Sequence, residues 1–352
     1  MILLFLRIFS AFFIVATLIP LLKWDHWQVR VFDYPRLQKL IIIMTLISLW
    51  IILSPETSQT EYWIFLITLG SAGLFLLIKV IPFSPIGKKM IESVEFDKAC
   101  SIHILVANVY QPNKSYGKLL DLVNQTNPDL IFLVETDSNW EKGLSSLESD
   151  FDYRLKLPMD NTYGLLLYSK LEIVSQEINY FIDEEIPSLD LDIKLNNGKV
   201  IKIYGIHPTP PVPSQNPKST DRDAEILIVG EKVKKCNKPA LVIGDLNDVA
   251  WSYTTELFLK ISEMADPRRG RGTFNTFHAK IPFLRWPLDH VFLSKEFGLV
   301  SIKVHDTIDS DHFPISLIAR LTSEKTTETK KANGKEKKEA HEKIDRGLND
   351  KD

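Results

Sequence analysis

Beyond its first hundred residues the chain repeats one pattern: a short run of aliphatic and β-branched residues beside an acid, an amide or a histidine. The instances are Asn108 in ILVANVYQPN, Glu135 in DLIFLVETD, His207 in YGIHPTPP, Asp245 and Asn247 in LVIGDLND, Asp289 in PLDHVFLS, and Asp311 with His312 in DSDHFPI. Runs of this length and composition read as buried strands, so each polar group is expected at the C-terminal end of a strand. Delivered to one edge of a sheet, such groups form a pocket that can hold a hard cation and activate water. Phosphoester hydrolysis needs that chemistry.

The first 83 residues are of another kind. They hold three apolar runs, Met1 to Leu22, Leu40 to Ser54 and Tyr62 to Phe83. A membrane helix needs about 20 apolar residues, which the first and third supply and the second approaches. A cleaved signal peptide is the alternative for the first run, but no basic start precedes it and no small-residue cleavage site stands before Lys23. Residues 1–83 are therefore expected to form three transmembrane helices. The first connection carries Lys23, Arg30, Arg36 and Lys39, the second (Pro55 to Glu61) carries no Lys or Arg, and Lys88 and Lys89 follow the third helix. The positive-inside rule then makes this a multi-pass cell-membrane protein with an outside N-terminus and a cytoplasmic catalytic domain, against a periplasmic or extracytoplasmic alternative. Arg7, inside the first run, speaks against that orientation.

Residues 84–98 read as a linker with a short amphipathic piece, and 99–321 as an alternation of short strands and helices. YGKLLDLVNQTNP and STDRDAEILIVGEKVKK have helical spacing and caps, and Asn196-Asn197-Gly198 marks a hairpin turn. Strands mixed with helices and hairpins predict an α/β (α+β) domain of two packed mixed sheets flanked by helices. Residues 322–352 are rich in Lys, Glu, Asn and Thr and are expected to be a disordered charged tail. Cys100 and Cys236 show neither metal nor redox spacing.

Between Ala99 and Arg320 the chain has 24 Lys and Arg against 30 Asp and Glu, a poor match for a dedicated nucleic-acid binder, which presents a basic face. The arginine cluster Arg268-Arg269-Gly270-Arg271 has a plain reading as a solvated loop.

Taken together, ANVYQPN, GIHPTPP, GDLND followed closely by WS, PLDHVFLS and SDH resemble the endonuclease/exonuclease/phosphatase superfamily, and in particular its membrane-anchored bacterial branch. The resemblance spans about Ser101 to Leu321 and implies a four-layer sandwich with a divalent cation, Mg²⁺ or Mn²⁺. By that resemblance Glu135 is the principal metal ligand, with Asn108 and Asp311 beside it. His312 is the catalytic histidine and Asp289 the carboxylate that orients it. Asp245 and Asn247 position the attacking water and bind phosphoryl oxygens, and His207 donates to the phosphate. In nuclease-like members this second histidine has a glutamate partner; here RLKLPMDNTYG offers only Asp160. Asn113 and Arg222 also match the branch and are carried as substrate-binding candidates.

The expected function is that of a membrane-anchored, metal-dependent phosphoric ester hydrolase. Its substrate would be a phosphodiester of nucleic-acid, phospholipid-like or small-molecule type, and no protein partner is predicted. The alternative is a catalytically inactive membrane-associated binding module on the same fold, whose signature would be lost metal ligands.

Overall fold

The computed structural model describes residues 1–53, 58–322 and 327–349. Three helices, α1 (Ile2–Leu18), α3 (Arg36–Leu53) and α4 (Gln59–Val80), pack together, with the short α2 (Trp27–Arg30) in the first connection. With their 3₁₀ extensions the apolar spans are Ile2–Leu22, Arg36–Leu53 and Gln59–Phe83, all long and apolar enough to cross a membrane. The 18 residues of α3 rise about 27 Å, just short of a hydrocarbon core of about 30 Å. Ile43, Leu46, Trp50, Leu69 and Leu76 fill the bundle centre, while Phe5, Phe12, Ile52, Ile67 and Ile78 point outward. Arg7, anomalous in an apolar run, pairs with Glu61 at the start of α4 (Nη2–Oε2 3.0 Å). The second connection, Pro55 to Glu61, lies partly outside the described residues.

The remainder of the chain forms a four-layer sandwich, as expected. Its elements are β1 (Ser101–Asn108), α5 (Tyr116–Thr126), β2 (Leu130–Val134), α6 (Ser138–Gly143), β3 (Tyr153–Leu157), β4 (Leu165–Ser169), β5 (Ile173–Asn179), β6 (Ser188–Lys194), β7 (Val200–Gly205), α7 (Thr220–Lys235), β8 (Ala240–Asp245), α8 (Tyr253–Ser262), β9 (Asp289–Leu293), β10 (Phe297–Val304) and β11 (Ile315–Leu321). One sheet has the order β10-β11-β1-β2-β4-β3, the other β5-β6-β7-β8-β9. Only β1 with β2 and β7 with β8 run parallel. Strand alternation explains the layering. Ile104 and Val106 of β1 face the inter-sheet core with Ile203 and Ile243, while Leu105 and Ala107 face Leu119 and Trp140 on the helical side. On the other flank α7 and α8 cover Val242 and Phe292. Both faces of the central strands are buried, hence their nearly continuous apolar sequence.

Two expectations at the margins need correction. Residues 84–98 hold no amphipathic helix and are no free linker: Met90 and Ile91 are buried in the inter-sheet core, and Val94 N–H donates to Leu299 O at the β10 edge (2.9 Å). The tail, of which 323–326 and 350–352 lie outside the described residues, carries the helix α9 (Gly334–Asn349). Ala340 packs into the α7–α8 cluster, and buried Lys343 reaches Asp223 (2.9 Å) and Asp25 (3.3 Å). Composition argued for disorder because it counts apolar residues, whereas α9 is held by a few apolar contacts, those of Ala340 and Ile344, and by ion pairs to distant partners.

Candidate active site

The topology brings the motif residues to one edge. β1, β2, β7 and β8 deliver Asn108, Glu135, His207 and Asp245 at or just past their C-terminal ends. Asp289 and the Asp311–His312 pair arrive differently: Asp289 opens β9, opposite Asp245 in register, and Asp311 and His312 precede β11. The expectation of strand C-termini fails there because β9 and β11 run antiparallel to their neighbours, so their N-terminal ends reach the same edge.

Local backbone aims the groups. Glu135 and Asn247 adopt left-handed conformations, with φ of 59° and 51°. Such strain in a non-glycine residue gathers at functional sites. Gly244, at φ 139°, lies so close to β7's exit that a Cβ would meet Ile206 O at 1.9 Å. No other residue could carry β8 past His207 and still present Asp245.

His312 is the centre of the arrangement. Its Nδ1 lies 2.8 Å from Asp289 Oδ2 and its Nε2 3.5 Å from Asp245 Oδ2. Burial opposes charge on the imidazole, but Asp289 and Asp245 outweigh it and lift His312 to about 10. At neutral pH it is an imidazolium donating from Nδ1 to Asp289. Phe277 covers the ring, centroids 4.9 Å apart, and Ser310 Oγ fixes its backbone by accepting from His312 N–H (3.0 Å) while donating to Asn108 O (2.8 Å).

Asn108 Nδ2 bridges two carboxylates, donating to Glu135 Oε1 at 2.7 Å and Asp245 Oδ2 at 3.0 Å, and its oxygen accepts from Tyr110 N–H (2.9 Å). Burial pushes Glu135 up to about 7, with Asp245 and Asp311 adding to the push against Asn108 and His312. Apart from Asn108, only the Gln111 N–H, at 3.4 Å, approaches that carboxylate, and among the described residues no lysine or arginine pairs with it. Asp311 is half-buried; its charge acts on both Glu135 and His312, and its backbone oxygen accepts from Ala279 N–H (2.7 Å). A buried, oxygen-rich, under-neutralised carboxylate set fits a hard cation such as Mg²⁺ or Mn²⁺. Donor atoms of Asp245, Asp289 and His312 also lie within 4.8 Å of one another. The His312–Asp289 hydrogen bond already fills that trio with a proton, which leaves Glu135 the better cation position.

Asp245 is held below the usual carboxylate range: burial alone would raise it, but His312, His207 and the Asn108 amide prevail. Asn247 N–H donates to Asp245 Oδ1 (2.9 Å), and its amide donates to Pro208 O (2.9 Å). Burial lowers His207 to about 4, so it is neutral, and its Nδ1 has no partner. Asp160 does not fill the role of a partner acid. Tyr163, which the sequence gave no reason to select, packs on the His207 ring at 5.5 Å.

The two substrate candidates stand behind this surface. Asn113 Nδ2 donates to Ile308 O (2.9 Å) and Val109 O (3.2 Å), and its oxygen caps Ser115 N–H. Arg222 Nη1 donates to Asn247 O (2.7 Å), and its Nη2 pairs with Asp223 (2.8 Å). Tyr34, from the connection between α1 and α3, donates to the same Asn247 oxygen (3.0 Å). Asp223 also accepts from Arg30 (2.6 Å) and Lys343 (2.9 Å), so this rear network joins the membrane segment, α7 and α9. The arginine cluster is no solvated loop: Arg268 is buried against Asp266 and donates to His290 Nδ1 (2.6 Å), which leaves the His290 Nε2–H for Asp248 O.

Among curated proteins no sequence matches this chain. Solved structures do. TDP2 from D. rerio, complexed with single strand DNA product, aligns with a TM-score of 0.53 at 16% identity, over 62% of this chain and 99% of its own. An endonuclease/exonuclease/phosphatase from Bacteroides vulgatus gives 0.51 at 16%, over 63% and 99%. A third, from Beutenbergia cavernae, gives 0.51 at 16%, over 63% and 72%. Residues 105–312, which carry every strand of the sandwich except β11 and the start of β1, match the Endonuclease/Exonuclease/phosphatase family, and to that family the chain belongs.

Proposed function

We propose that this chain is a membrane-anchored phosphodiesterase that hydrolyses its substrate with a directly attacking water and Mg²⁺ or Mn²⁺. The observation that carries the reading is the placement of His312, its Nδ1 2.8 Å from Asp289 Oδ2 and its Nε2 3.5 Å from Asp245 Oδ2, beside a Glu135 carboxylate whose one side-chain donor is Asn108. Glu135 and Asp311 would hold the cation. Asn108, its oxygen taken by Tyr110, would orient Glu135 and keep it apart from Asp245. The bound cation would supply charge neutralisation at the phosphate oxygens.

The chain's own groups do the rest. Asp245, its second oxygen tethered by the Asn247 N–H, orients the water and takes its proton as the oxygen attacks phosphorus, while the P–O bond to the leaving group breaks and the departing alkoxide takes a proton from solvent. The His312 Nε2–H faces the phosphoryl oxygens and meets the charge that grows on them, and Asp289 keeps that proton donor charged and aligned. His207, neutral, offers an N–H, and Asn247 its second amide hydrogen. Asn113 and Arg222 are spent on backbone carbonyls and Asp223, so we assign them to holding loops and not to touching substrate.

The connection between α1 and α3 and the catalytic domain lie on the same side of the helices, as the Tyr34–Asn247 bond requires. With Lys23 and Arg30 in that connection and Arg36 and Lys39 in the first turn of α3, we assign the domain to the cytoplasm.

The test is hydrolysis by the full chain in detergent of bis-(p-nitrophenyl) phosphate beside p-nitrophenyl phosphate, with Mn²⁺ or EDTA. Metal-dependent diester cleavage abolished by His312→Ala is expected. Preference for the monoester would make it a phosphatase, and no activity on either, with no Mn²⁺ binding, would favour the inactive binding module.

A further inference from the structure

Between Phe277 and Trp286, which pair across the base of an excursion, the chain leaves the site's rim and returns. The tip is Ile281-Pro282-Phe283-Leu284, four apolar residues in succession and all exposed, with Phe283 at 83%. A soluble surface rarely displays such a run without a use for it. Its base is part of the site: Phe277 covers His312, Ala279 N–H donates to Asp311 O, and Lys280 Nζ stands 4.8 Å from the ring of Tyr110, two residues past Asn108.

The position of the tip is fixed by the membrane segment. Gln38, in the first turn of α3, donates from Nε2 to Phe283 O (3.1 Å) and Arg285 O (3.3 Å). Three and seven residues further on, the same face of α3 carries exposed Ile41 and Thr45, with Met44 beside them. That is a lipid-facing surface, and the excursion sits at its head. Trp24, 63% exposed at the end of the first span, marks the same level with an interfacial aromatic. Lys280, exposed, flanks the apolar tip with positive charge, as suits a leaflet of anionic headgroups, while Arg285 turns back to Ala279 O (3.2 Å) and the Phe313 ring.

We propose that residues 278–285 insert into the bilayer beside α3, so that the active site opens onto the headgroup layer and takes its phosphodiester from a lipid. The insertion stands on the loop's geometry alone; the choice of substrate rests on the phosphodiesterase reading above.

The experiment uses the full chain in nanodiscs containing phosphatidylglycerol, with Cys100→Ser and Cys236→Ser as background. A nitroxide is attached at Phe283→Cys and, as an aqueous control, at Val174→Cys on the exposed β5 edge. Insertion predicts that the label at 283 is relaxed by oxygen and shielded from a water-soluble nickel chelate, with the reverse at 174. Equal nickel access at both positions would overturn insertion. So would shielding of 283 from both reagents, which would mean burial against a protein, a second copy included.

In parallel, Phe283→Asp is assayed on a fluorogenic phospholipid phosphodiester in the nanodisc and on soluble bis-(p-nitrophenyl) phosphate. Losing one buried phenyl anchor should lower lipid turnover about tenfold or more and leave the soluble ester within about twofold. Equal losses on both substrates, or a wild type that cleaves the soluble ester and no lipid, would overturn lipid delivery. A wild type that cleaves neither would sink the phosphodiesterase reading itself, and the labels would still decide insertion.

Discussion

Two buried polar clusters lie back to back across the loop at Asn247, and they are built on opposite terms. In the rear cluster Asp223 receives Arg30, Arg222 and Lys343 at 2.6 to 2.9 Å, and their charges hold its carboxyl well below the usual range despite complete burial. Asp248 takes hydrogen bonds from Ser252 and Thr255. In the front cluster Glu135 is pushed up to about 7, and His207 Nδ1 and Asp289 Oδ1 have no partner. Burying polar groups without partners costs free energy, so a fold keeps such a cluster only where something outside the chain completes it. The rear cluster is complete in itself and serves structure; on the proposed reading the front one is completed by a cation and a phosphate.

The sharpest way to break this contrast is to mutate each side and read both stability and activity. Glu135→Gln should cut diester hydrolysis by about a hundredfold to a thousandfold, yet leave the melting temperature unchanged or higher, since it removes an ill-compensated charge. A fall in stability with activity kept would show that the front is structural.

Asp223→Ala should do the reverse. It strands three buried cations, at a cost of about 3–5 kcal/mol, read as a lower midpoint in chemical denaturation, while turnover per folded molecule stays near wild type. A stability change under about 1 kcal/mol would deny the rear cluster its structural role.

Tyr34→Phe probes the seam. Arg222 remains on the Asn247 oxygen, so the loss is one hydrogen bond, about 1 kcal/mol. Because that bond positions a residue of the site, kcat should fall about two- to fivefold with KM little changed. Equal loss of kcat in Tyr34→Phe and in a variant outside the seam, such as Val174→Ala, would remove the link between membrane segment and site.

The remaining effect is pH-dependent and spread over a wide pH range. Burial raises Glu225 to about 7, with only Ser188 donating to it against the neighbouring acids. An acid whose folded pKa exceeds its unfolded value costs stability as pH rises from near 4.5 to 7. The cost is on the order of 3 kcal/mol at most by linkage and less with relaxation. Glu225→Gln should flatten the decline in denaturation midpoint across that window; an unchanged slope would mean the carboxylate finds solvent.

How much of this was legible in the sequence differs between the same two regions. The front cluster was, because each member sits beside an apolar strand run, and strand order then follows from few packing rules. The edge strands β3 and β5 carry no such run: YRLKL and IVSQEIN largely face solvent and carry the polar residues that edges require. The rear cluster was invisible. Tyr34 meets Asn247 across 213 residues, and Arg30 meets Asp223 across 193, and no local pattern announces such pairs. Lys343 and α9 were read as disorder for the same reason. Arg222 was singled out by family likeness, but only the structure shows it facing backward.

The central claim, that the front cluster is completed by a cation at Glu135, is tested most directly by Mn²⁺ titration of the full chain, followed by electron paramagnetic resonance. Saturable binding to the wild type, lost in Glu135→Gln and retained in His207→Ala, is the predicted result. No saturable binding to the wild type, or equal binding to Glu135→Gln, would contradict it.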